Sequence, residues 1–151
     1  MRVLYPPESI NLSAPEKAVF LAGSIENGIA EDWQATFIHQ LKHTDWVVLN
    51  PRRKEWDASW EQSTKNPQFV EQVNWELEGL EKASIIVMNF VPNTLSPISL
   101  LEFGLYARTN KLVVCCPEGF WRKGNVDVVC QRYNIVQVPN IEALVHYTLA
   151  I

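Results

Sequence analysis

The stretch Ser84–Cys116, SIIVMNFVPNTLSPISLLEFGLYARTNKLVVCC, decides how the rest of the chain is read. "SIIVMNFV" and "KLVVCC" are continuous apolar runs, the pattern of strands buried on both faces. Between them "ISLLEFGLYAR" reads as a helix. Helical residues advance by roughly 100° each. On that wheel Ile98 and Leu105 lie to one side of Glu102 and Tyr106 to the other. The only acid of the segment therefore falls within its apolar stripe, where an unpaired carboxylate is costly.

The alternation continues in both directions. "AVFLAG" (18–23) reads as a strand, and "AEDWQATFIHQLKH" (30–43) as a helix with Trp33, Phe37, Ile38 and Leu41 on one face. "WVVLNP" (46–51) is a second strand. "NPQFVEQVNWELEGLEKA" (66–83) is a second helix, with Asn66 as N-cap and Pro67 in its first position. "KLVVCCP" and a short "NIVQVP" follow as the fourth and fifth strands, and "NIEALVHYTLAI" closes the chain as a helix. Buried strands separated by helices predict an α/β fold: a five-stranded, doubly wound, flavodoxin-like sheet, mainly parallel, with helices on both faces. The reading is one domain over 1–151, with 1–16 as an N-terminal extension.

Composition narrows the function classes. The chain has 151 residues, 47% apolar and 20% charged, with a net charge of −4. An acidic, ordinary globular composition argues against nucleic acid or an anionic membrane as partner. No apolar run approaches a membrane span, and "MRVLYPPESINLSAPEK" lacks a signal-peptide core, so a cytoplasmic protein is expected. Cys115, Cys116 and Cys130 read as buried free thiols. His39, His43 and His146 are scattered, no metal-ligand spacing occurs, and no cofactor is called for. Tryptophan is unusually frequent, with six. Trp56 and Trp60 stand beside an expected binding edge, where an indole can stack on a ring.

Doubly wound sheets bind ligands beyond the carboxyl ends of their strands. Those ends carry "GSI" (Gly23, Ser24, Ile25), "NPRR" (Asn50, Arg52, Arg53), "NFVPN" and "CPEGFWRKGN". The second helix repeats the oddity of the third. Its stripe of Phe69, Val73, Leu77 and Leu80 includes Glu76, while Glu71, Glu78 and Glu81 fall on the wet side. Either the two inward acids pair with Arg52, Arg53 or Arg108 or cap helices, or they form a site. Two acids at one sheet edge suit glycosyl transfer, in which one carboxylate attacks an acetal-like carbon.

"VFLAGSI", "EQVNWELEGLEKAS" and "SPISLLEFGLYARTNKLVVCC" resemble the nucleoside 2-deoxyribosyltransferase superfamily, which includes N-hydrolases of nucleoside 5'-monophosphates. The resemblance runs roughly from Ala18 to Tyr133. "NPRRKEW" and "EGFWRKGNVD" resemble its transferase-like branch. The resemblance implies that Glu102, in "LEFG", is the catalytic glutamate that attacks C1' of the sugar. Glu76 matches an acid, usually aspartate, that orients the substrate and assists the leaving base. Gly23 and Ser24 match the turn under the nucleoside. Ser96 matches a position where transferases tend to have an acid and monophosphate hydrolases serine. Asn125 matches a residue lent to the neighbouring subunit's site, so a homodimer or higher homo-oligomer is implied, with Phe120 and Trp121 as interface aromatics.

The chain departs from the family just before the glutamate, where glycines are common and Ile98, Ser99, Leu100 and Leu101 stand here. That weakens a phosphate cradle, while Arg52 and Arg53 at the ligand edge favour one. Three functions stay open: exchange of bases on a nucleoside, hydrolysis of a nucleoside 5'-monophosphate, and a non-catalytic nucleotide sensor. Substrate contacts are expected from Gly23, Ser24, Ile25, Asn50, Arg52, Arg53, Trp56, Ser96, Ser99 and Asn125.

Overall fold

The computed structural model describes residues 1–25, 31–53 and 55–151. Among these, six strands and five helices alternate along the chain. The strands are β1 (Arg2–Leu4), β2 (Ala18–Gly23), β3 (Val47–Leu49), β4 (Ile85–Asn89), β5 (Leu112–Cys115) and β6 (Val136–Val138). The helices are α1 (Trp33–Leu41), α2 (Pro67–Lys82), α3 (Pro97–Tyr106), α4 (Lys123–Tyr133) and α5 (Ile141–Leu149). All pairings are parallel, in the order β1-β3-β2-β4-β5-β6.

The expected count of five strands is corrected to six. Arg2–Leu4, inside the segment read as an extension, pairs with β3 in the register Arg2↔Val47 to Leu4↔Leu49. Three residues ahead of Pro6 and Pro7 are too few to show a strand period. Apart from β1, the order is that of flavodoxin-like folds, with the chain reversing its direction of travel across the sheet between β2 and β4.

Strands β2 to β5 are buried throughout, which explains their unbroken apolar sequence. One face packs Phe20, Ala22, Ile86 and Met88 against Trp75 and Leu80 of α2, Phe103 of α3 and Val126 of α4. The other packs Val19, Leu21, Val48 and Val87 against Trp33, Phe37 and Leu41 of α1 and Leu144 of α5. Helix starts follow the expected chemistry. The Asn66 side chain accepts from the amides of Gln68 and Phe69 at 3.1 and 3.3 Å, with Pro67 beside it.

Two helix faces differ from the expected ones. The core side of α2 is Gln72, Trp75, Gly79 and Leu80, not Phe69, Val73 and Leu77. Gly79 permits this, since a Cβ there would lie 2.7 Å from the Phe20 ring. In α3 the inward residues are Ser99, Glu102 and Phe103, while Ile98, Leu101 and Leu105 are 57%, 59% and 56% exposed. In both helices the apolar stripe borders a cavity rather than the core. The three cysteines are free and buried, as expected. Phe120 turns inward and packs on Phe90 with ring centroids 4.6 Å apart, which corrects its reading as an interface aromatic.

Candidate active site

A cavity of about 910 Å³ opens where the sheet reverses, beyond the ends of β2, β3 and β4. Gly23 and Ile25 line it after β2, and Asn50, Pro51, Arg52, Arg53 and Trp56 after β3. Phe69, Gln72, Val73, Glu76 and Leu77 form the α2 wall. Leu95, Ser96, Ile98, Ser99, Leu101, Glu102 and Leu105 form the wall at α3. Its size and mixed lining suit a small organic ligand.

Gly23 lets the two central strands meet at its floor. Its φ is +132°, and a Cβ there would lie 2.2 Å from the Asn89 carbonyl oxygen. The next amide, of Ser24, donates to that oxygen at 2.9 Å. Ser24 is fully buried beneath the cavity rather than lining it. Its hydroxyl lies 2.8 Å from Thr94 Oγ1 and 2.6 Å from Ser96 Oγ, and it accepts from the Val91 amide at 2.9 Å. Trp33 Nε1 donates to the Ser24 carbonyl at 3.1 Å. Ser96 adopts a left-handed conformation (φ 46°, ψ 51°) and its side chain does not cap α3. The hydroxyl group thus ties the start of α3 to the end of β2, fixing where Ser99 and Glu102 project.

Glu102 is 8% exposed, and Glu76 is half-buried across the cavity's α2 wall. Gln72 Nε2 donates to Glu76 Oε1 at 2.8 Å and to the Pro51 carbonyl at 3.0 Å. Among the described residues no lysine or arginine forms an ion pair with either acid. Burial pushes Glu76 up to about 7, against the opposing pull of the Gln72 hydrogen bond. Burial, reinforced by the neighbouring Glu76, pushes Glu102 up to about 8. Near neutrality the pair therefore holds on to protons, the condition in which one acid can act as a base or nucleophile and the other as a proton donor.

Both arginines line the cavity and are tied to side chains other than the two acids. Arg52 Nε lies 3.8 Å from Asp32, and its Nη1 donates to Gln34 Oε1 at 3.4 Å. Arg53 Nη1 donates to Glu71 at 3.2 Å, and its guanidinium sits 5.3 Å from the Trp60 ring centroid. Asn50 fixes the turn by accepting from the Arg52 amide at 3.0 Å.

Of the twelve residues expected at the site, ten line the cavity, Ser24 lies under it, and Asn125 is exposed on α4 outside it. Phe69, Gln72, Val73 and Leu77 were not expected. Their spacing around Glu76 carries the signal: positions 69, 72, 73, 76 and 77 form one helical stripe. Among the described residues no group of three or more His, Cys, Asp or Glu side chains is arranged to hold a metal ion.

A profile of the family described as "Nucleoside 2-deoxyribosyltransferase like" matches residues 16–120. The chain belongs to that family. This deoxyribosyltransferase-like chain also resembles solved structures in fold. A conserved protein from Enterococcus faecalis V583 superposes with a TM-score of 0.62 at 11% identity, over 87% of this chain and 96% of that one. The Clostridium botulinum CMP N-glycosidase BcmB superposes with a TM-score of 0.56 at 14% identity, over 89% of this chain and 100% of that one. No curated protein matches the deoxyribosyltransferase-like chain. No helix among its described residues is long and apolar enough to cross a membrane.

Proposed function

We propose that the chain cleaves the N-glycosidic bond of a nucleoside or nucleotide, with Glu102 as nucleophile. The observation that carries this reading is that two acids, Glu76 of α2 and Glu102 of α3, line one cavity and are both raised by burial, with no ion pair to either among the described residues. The attack needs the state of the pair in which Glu102 is ionised and Glu76 holds the proton, the reverse of the order their shifts give in the empty cavity; the Glu102 oxygen then attacks C1' of the sugar. The C1'–N bond breaks, its electron pair goes to the base, and protonated Glu76 supplies the proton that the departing nitrogen takes up. Water or a second base then attacks C1' and frees Glu102. The proton released by the attacking water, or by the N–H of the attacking base, goes to Glu76.

The test is product analysis by mass spectrometry after incubation with deoxynucleosides, ribonucleosides and their 5'-monophosphates, with and without an acceptor base. Free base should form, and Glu102→Ala should lower kcat by at least about 100-fold in a folded protein. Near-normal turnover by folded Glu102→Ala removes Glu102 from the chemistry. Binding without any turnover points to a sensor instead.

A second reading, a 5'-monophosphate hydrolase, is favoured by the start of α3. As in any first helical turn, the amides of Ile98 and Ser99 have no intrahelical acceptor, and Ser96 and Ser99 line the cavity there. A preference for monophosphates in the same product assay supports it. We also propose a cytoplasmic homo-oligomer: Leu95, Ile98, Leu101 and Leu105 form an exposed apolar rim at the cavity mouth that a second copy would cover.

A further inference from the structure

The cavity holds a set of polar atoms that the reaction above does not use. Gln72 Oε1, Arg53 Nε and Trp56 Nε1 are buried and have no hydrogen-bond partner. All three residues line the cavity on the side of Glu76. Gln72 is 4% exposed, and its amide cannot usefully turn over. Its Nε2 already serves the Pro51 carbonyl, which can only accept, so a flip would set oxygen against oxygen there. Gln72 Oε1 is therefore a fixed acceptor. The other two atoms are donors only. Arg53 is tethered through Nη1 to Glu71, and Trp56 meets the Trp60 ring edge-on, with centroids 5.2 Å apart.

Such a set is costly to keep. Burial removes water from these atoms, and nothing in the protein replaces it. One orphan is a local defect. One acceptor and two donors, on three residues that line one cavity, with Gln72 bonded to Glu76 and Arg53 tied to the same helix through Glu71, match the edge of a heterocycle. That edge must offer an N–H to Gln72 and oxygen or ring-nitrogen acceptors to Arg53 and Trp56. A ring in the cavity reaches these buried atoms only if the side chains of Arg53 and Trp56, both on the connection between β3 and α2, shift to uncover them.

We propose that Gln72, Arg53 and Trp56 are the specificity-determining face for the base, and that they demand an amide- or amidine-type edge bearing an N–H. This rests on the reading that a nucleoside occupies the cavity with its base toward Glu76. A ring that lacks the N–H leaves the Gln72 oxygen buried and unpaired, and it is rejected for that reason.

The experiment uses binding alone, in the Glu102→Ala chain, so that chemistry plays no part. Calorimetry compares nucleosides, whose glycosidic nitrogen carries no hydrogen: deoxyadenosine with purine deoxyriboside, deoxycytidine with the deoxyriboside of pyrimidin-2-one, and deoxyuridine with its 3-methyl derivative. At least one parent compound should bind, and its analogue lacking the N–H on the base edge should bind about tenfold or more weakly. Gln72→Met should abolish that discrimination, and Trp56→Phe should weaken the parent compound by a similar factor. Trp56→Phe lies outside the sheet and serves if Gln72→Met fails to fold. Equal binding of parent and analogue, discrimination that survives Gln72→Met, parent binding unchanged by Trp56→Phe, or no binding of any of these nucleosides up to millimolar concentration overturns the proposal. Glycosidic cleavage by the unaltered chain, with loss in Glu102→Ala, is a separate measurement. Cleavage without base discrimination defeats this inference alone, and discrimination without cleavage defeats the catalytic reading alone.

Discussion

Glu102 shows how one residue can be both legible and misplaced in a sequence. Its presence in an apolar helix marked it, yet its neighbours on the wheel, Ile98 and Leu105, face outward while Glu102 faces in. A wheel reports which residues share a side; it does not say whether that side meets core, cavity or solvent. The acid's burial has a consequence for pH. Glu76 and Glu102 are raised from 4.5 to about 7 and about 8, so the native chain binds more protons than the unfolded one between these values. Stability contributed by the two acids is therefore full below about 4.5 and lost as pH rises through about 8. Melting followed by circular dichroism should give a lower Tm at pH 9 than at pH 5.5, and Glu102→Gln should flatten that fall. An unchanged fall in Glu102→Gln would mean that Glu102 does not carry the dependence. Gly23 is the other decisive residue. Gly23→Ala forces a side chain into the left-handed half of φ space and against the Asn89 backbone. A loss of about 2–5 kcal/mol in urea denaturation is expected.

At the scale of elements, the sequence was most informative where burial is uniform. β2, β3, β4 and β5 are apolar runs because both faces are covered, and their order with α1, α2 and α3 was read correctly, whereas α4 between β5 and β6 was not expected. β1 was missed because a three-residue edge strand is too short to show a period. The faces of α2 and α3 were misread because each serves two environments at once, sheet on one side and cavity on the other. Trp75 and Gly79 carry the packing of α2, whereas Phe69, Val73 and Leu77 line the cavity. Gln72 stayed hidden for a related reason: a glutamine one turn before an acid looks like surface until the fold buries it. The caps were legible and are testable. Asn66→Ala removes the acceptor for two amides at the start of α2 and should cost about 1 kcal/mol. On α3, Ile98→Lys and Leu101→Lys alter exposed positions. They should leave Tm within a few degrees of the parent protein while lowering the sedimentation coefficient of any assembly. An assembly that survives both changes is not built on this rim.

For the whole molecule, the open question with the largest effect on the site is whether one chain completes it. Asn125 lies on α4 and does not reach its own cavity, and Trp121 is 52% exposed beside it, with Nε1 donating to the Leu95 carbonyl at 3.0 Å. If Asn125 serves a neighbouring copy, Glu102→Ala and Asn125→Ala chains, each inactive alone, should regain about a quarter of full activity per site when mixed equally. No recovery after proven subunit exchange would confine the site to one chain. The sheet itself carries a different consequence. Every strand pairing is parallel, so no neighbours can be joined by a tight hairpin, and the pair Arg2↔Val47 spans the first third of the chain. Closing such distant contacts delays the reward for ordering the chain, so this sheet should fold more slowly than a helical bundle of the same length. During synthesis Arg2–Leu4 leaves the ribosome well before Val47–Leu49. Arg2–Leu4 must wait, unpaired, for a partner strand that is translated roughly two to nine seconds later.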